Sequence, residues 1–158
     1  MRWTLLAVLA LSCNGGGDKC KAYVVPSGTD LTSPVVSFKN DVLPIVTFSC
    51  TFSACHGTLM GVNNGVYLGE RPPAMTNAST VVMGLLKPSG QLMAMPLVTA
   101  SDPTRSYLMH KLDGDHCTLD KMCAGGSCGT SMPNGSPLLE IAKRDTVRRW
   151  IAQGAKDN

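Results

Sequence analysis

From residue 37 onward the apolar positions recur at helical intervals, and before it no period of either kind lasts. Phe38, Val42 and Ile45 share one face of a helix that Ser37 can cap. Pro44 has no N–H for the ladder, so a kink or a fresh turn is expected there, with Phe48 and Cys50 at its far end. Gly57, Gly61, Gly65 and Gly69 then mark a long loop wrapped closely on something. Residues 78–86 suit one short helix. Asp102 and Pro103, after Ser101, start another over 104–112, with Tyr107, Leu108 and Leu112 turned inward. A closing helix is expected from about 137 to 153, with Ser136 and Pro137 at its start and Gly154 at its stop. Its register is clean at Val147, Trp150 and Ile151, while Glu140 and Lys143 interrupt the same face and leave the start open. The pattern predicts a mainly α fold, one small helical domain with long loops.

The chain ahead of this domain reads differently. Met1 and Arg2 precede an apolar run from Trp3 to Leu11, then Ser12 and Cys13, in the order of an export signal. A spanning helix needs about 20 apolar residues, more than this run offers. Ala10-Leu11-Ser12-Cys13 resembles the bacterial lipobox, which implies a signal peptide over 1–12 and lipidation of Cys13. Residues 13–36 are rich in Gly, Pro and Ser and are expected to tether the domain, 37–158, to a membrane. As a flexible coil this tether would span on the order of 25 Å. Cys20 interrupts it and can pin part of it to the body.

Composition narrows the classes. With 158 residues and 44% hydrophobic content, one modest core is affordable and hardly two. Aromatic residues are only 5%, a shortage of core bulk that a bound macrocycle would relieve. The net charge of +3 carries no Lys/Arg block beyond the mixed run in the last helix, which argues against a nucleic-acid partner. Seven cysteines in so short a chain point to an oxidising compartment.

The most specific chemistry lies in Cys50-Thr51-Phe52-Ser53-Ala54-Cys55-His56. Two cysteines with a histidine directly after the second are how a chain fastens haem to itself: each thiol adds across a vinyl group to form a thioether, and the imidazole rises to the iron as proximal ligand. Four residues separate the cysteines where two are usual. The Cys-His adjacency fixes the imidazole beneath the ring, and the extra residues can bulge outward. The same residues also suit a small disulfide between Cys50 and Cys55 with an incidental surface histidine. With Cys13 lipidated and two cysteines on haem, Cys20, Cys117, Cys123 and Cys128 are left for two disulfides in any of three pairings, at least one bridge lying inside 117–128. A structural zinc site there lacks a second ligand pair.

These parts in this order resemble a bacterial monohaem c-type cytochrome domain of exported lipoproteins. The resemblance runs from 37 to 155. It rests on 38–45, the Cys50, Cys55, His56 motif, Ser101-Asp102-Pro103 with Ser106-Tyr107-Leu108 and Lys111-Leu112, Met132-Pro133, and 146–155. It implies a small cytochrome-c-like fold, haem c covalently held by Cys50 and Cys55, His56 as proximal ligand and Met132 as distal ligand. Met93 and Met95 are rival sulfur ligands, and His110 and His116 rival nitrogens. An iron filled on both faces implies electron transfer and no enzyme activity. The implied partners are a redox protein of the cell envelope and the membrane itself, through the lipid anchor, on the periplasm-facing side or the outer membrane. The alternative is a haemless, disulfide-stapled envelope lipoprotein that binds another protein.

Overall fold

A computed structural model describes residues 20–52, 54–58 and 64–158. The expected signal peptide and Cys13 lie outside the described residues. The fold is mainly α: α1 (Leu43–Cys50), α2 (Ala78–Leu85), α3 (Tyr107–Asp113) and α4 (Ile141–Ala152), joined by long loops with short 3-10 turns. Among the described residues there is no strand, only an isolated antiparallel bridge between Pro88 and Pro96.

Ser37 caps the first turn as its sequence suggests, its hydroxyl accepting from the Asn40 N–H at 3.2 Å. The turn it opens, Phe38–Val42, is π-helical. Pro44 has no N–H to offer the carbonyl four residues back, and the ladder ahead of it widens until the Leu43 N–H bonds the Phe38 carbonyl. The break turns Phe38, Val42 and Val46 into one core, where they meet α2, α3 and α4 through Val81, Leu85, Leu108, Leu112, Val147, Trp150 and Ile151. Phe38 and Trp150 stack with ring centres 4.9 Å apart, and each is at most 1% exposed. Burying a side chain of this size contributes about 2 to 3 kcal/mol, which makes the crossing of the first turn with α4 the anchor of the fold.

Two helices begin later than their signals suggest. Asp102 caps only the 3-10 turn Pro103–Arg105, and the chain stays extended at Ser106, whose buried hydroxyl donates to the Asp102 carbonyl at 2.8 Å and accepts from the Thr99 N–H. α3 starts after it, with Tyr107, Leu108 and Leu112 buried as expected. α4 starts at Ile141; residues 137–140 form no helix, and Leu139 among them packs against the core.

The stretch 20–36, expected as tether, is fastened along the body. A disulfide joins Cys20 to Cys117, and the Tyr23 N–H donates to Asp115 at 2.8 Å. Just past α4, the Gln153 amide donates to the carbonyls of Leu31, Thr32 and Pro34 and accepts from the Val36 N–H. One side chain thus satisfies a run of backbone that has no helix or sheet of its own. The second disulfide, Cys123 to Cys128, closes the small loop, so the four cysteines expected to pair do so.

Candidate cofactor site

α1 delivers Cys50 at its last residue, and the chain then reverses tightly. The Cys55 N–H donates to the Phe52 carbonyl at 2.7 Å, and the His56 N–H returns to the Cys50 carbonyl at 3.0 Å. The next residue must be glycine. A Cβ on Gly57 would stand 2.5 Å from the Thr51 carbonyl oxygen, closer than such atoms approach. These two backbone bonds draw the chain back on itself, and Cys50 and Cys55 line one cavity.

No disulfide joins Cys50 to Cys55. Cys50 is buried, and burial first, then the Cys55 thiol beside it, pushes its thiol up to about 12. At neutral pH it is protonated. Cys55 is exposed.

His56 is half-buried, with Nδ1 3.0 Å from the Val66 carbonyl, while its own carbonyl accepts from the Leu68 N–H at 3.0 Å. A carbonyl can only accept, so Nδ1 carries the proton and the lone pair lies on Nε2. That arrangement orients a metal-binding imidazole.

These residues face a cavity of about 340 Å³, within the range of small-molecule and cofactor sites. Its wall is largely apolar, from Val46, Leu68, Leu97, Leu108 and Leu139 among others. Cys50, Cys55, His56 and Met132 all line it. Met132 is held there by its N–H, which donates to the Lys111 carbonyl at 2.9 Å, and by packing against the main core.

The rivals stand elsewhere. Met93 is 82% exposed, and Met95 packs on the second core cluster without lining the cavity. His110 is locked between Asp115 (2.8 Å) and the Thr104 carbonyl (3.1 Å), and His116 bonds the Gly129 carbonyl at 2.9 Å. Neither histidine reaches the cavity. The bond to Asp115 holds His110 above its usual range against the opposing effect of burial.

The polar part of the wall carries no motif. Tyr107 is 2% exposed and donates to Gln91 at 2.8 Å, and burial pushes its hydroxyl up to about 12. Lys111 is 7% exposed and donates to the Cys128 carbonyl at 2.7 Å; burial pulls its ammonium down to about 8, against the pull of Asp120. Lys111 is signalled in the sequence by its place one turn after Tyr107 and Leu108 on α3 and by its part in the resemblance, neither of which gives it a role. Gln91, in a loop, gives no such signal. Among the described residues no three His, Cys, Asp or Glu side chains gather so as to hold a bare metal ion, and no helix is long and apolar enough to cross a membrane. No protein-family model, no curated protein and no solved structure matches the chain.

Proposed function

We propose that the chain is an exported, lipid-anchored, monohaem c-type cytochrome-like electron-transfer protein. The observation that carries this is the convergence on one cavity of the neighbouring Cys50, Cys55 and His56 with Met132, which is distant in the chain, each of a type that such a haem requires. The residues fit the group in two respects. The cavity is largely apolar, and His56 has its Nδ1 proton engaged and Nε2 left for iron.

In this role Cys50 and Cys55 would hold the group by thioethers, with the His56 imidazole and the Met132 thioether as iron ligands. So held, the group would supply one-electron redox chemistry at a potential raised by the sulfur. The chain supplies the rest. Val66 fixes the imidazole plane, the Lys111 carbonyl fixes the backbone of Met132, and the leucine wall keeps water from the iron. The redox partner is a protein of the cell envelope, reached from a membrane anchor at Cys13.

The test is the spectrum of protein made with the haem-attachment apparatus. A sulfur-to-iron charge-transfer band is expected in the wild type and in Met95→Ala, and its loss in Met132→Ala with the haem still attached. Retention in Met132→Ala with loss in Met95→Ala would overturn the ligand assignment; a colourless wild type would overturn the function. The mass of the mature N-terminus reads lipidation of Cys13 from the same preparation.

A further inference from the structure

Two nitrogen donors converge at the polar end of the cavity. Gln91 and Lys111 both line it, and the Cβ position of Gly129 lies 3.1 Å from Gln91 Nε2 and 3.9 Å from Lys111 Nζ, so the two nitrogens are at most about 7 Å apart, a separation that one carboxylate can bridge. Gly129 has φ +72°, a conformation that glycine adopts without cost. The Gln91 amide is oriented by its other end, where Oε1 accepts from the Tyr107 hydroxyl at 2.8 Å.

Lys111 is in a costlier position. Its ammonium is buried, has three N–H donors, and bonds one carbonyl, that of Cys128. No carboxylate lies within ion-pair distance of it among the described residues. The nearest acid in play, Asp120, already accepts from the Cys128 N–H at 2.7 Å. A buried charge left so is strongly disfavoured unless an anion meets it.

We propose that Lys111 and Gln91 together grip a carboxylate of the haem, Lys111 Nζ on one oxygen and Gln91 Nε2 on the other. The inference rests on the cytochrome reading and adds to it the orientation of the group: its acidic edge lies toward α3 and the loop closed by Cys123 and Cys128. A charge-assisted bond paired with a neutral one fixes a planar carboxylate in both position and rotation.

The experiment labels the haem carboxyl carbons with ¹³C and records infrared difference spectra, oxidised minus reduced, of the intact holoprotein. Lys111→Met and Gln91→Leu are each expected to shift the labelled carboxylate band while covalent haem is retained. Gln91→Leu removes no charge, so its shift separates contact from a distant field and remains decisive if Lys111→Met does not fold. An unmoved band in Gln91→Leu, whatever Lys111→Met does, overturns the two-donor grip and leaves the cytochrome reading intact. A wild type that attaches no haem overturns the reading, and the grip with it.

Discussion

The cavity has two walls, fastened by opposite means. The wall of Cys50, Cys55 and His56 is tied within one short segment, by backbone bonds from residue 50 to 56, from 52 to 55 and from 56 to 68, and by the imidazole bond to Val66. The wall of Met132 and Lys111 is held from far away. Cys20 reaches Cys117 across 97 residues, and Asp113 at the end of α3 receives Arg148 through two bonds of 2.6 and 2.7 Å and Arg144 through one of 2.7 Å. The Tyr23 ring lies against both guanidiniums, 5.1 Å from that of Arg144 and 5.0 Å from that of Arg148. In the proposed holoprotein the thioethers give the first wall the covalent fixation that disulfides give the second.

The difference can be broken from either side. His56→Ala is expected to have the largest functional effect, abolishing haem attachment entirely. In protein made without haem its unfolding free energy should change by less than about 1 kcal/mol, since one half-buried hydrogen bond is lost. A large loss of stability in that haem-free comparison would make His56 a fold residue instead.

Removing the bridge from Cys20 to Cys117 with serines should cost about 5 kcal/mol in the chain-entropy model, against about 2 kcal/mol for Cys123 to Cys128, whose partners are only 5 residues apart. Urea titrations of the two double variants test the order, and equal losses would contradict a wall braced at long range.

The smallest effect is on pH. His110 has its pKa raised in the fold, chiefly by Asp115, so its contribution is fully present below the unfolded value and fades as pH rises through the folded one. Burial lifts Asp115, but the bonds from His110 and the Tyr23 N–H outweigh it and keep the carboxyl below its ordinary range. His110→Gln should therefore cost about 1 kcal/mol near pH 5.5 and less near pH 9, and a loss independent of pH would contradict the pairing.

The same contrast explains what the sequence reveals. The inward faces of Phe38 and Val42, of Tyr107, Leu108 and Leu112, and of Val147, Trp150 and Ile151 are legible because burial imposes a helical period. The motif turn is legible because its chemistry is local. The docking of 20–36 is not, since it depends on Gln153 meeting carbonyls more than a hundred residues away. The late start of α4 escapes for a related reason: Ser136 and Pro137 are good opening residues, yet residues 137–140 form no helix and Leu139 among them packs against the core. Gln91 and Lys111 come to one cavity wall only through the tertiary fold.

The most direct test is the intact mass and absorbance of the purified wild-type protein under denaturing conditions, after production with the haem-attachment apparatus. One haem retained on the unfolded chain, with Cys50 and Cys55 both closed to alkylation, is the predicted result. A colourless polypeptide with both of these cysteines alkylated would contradict it.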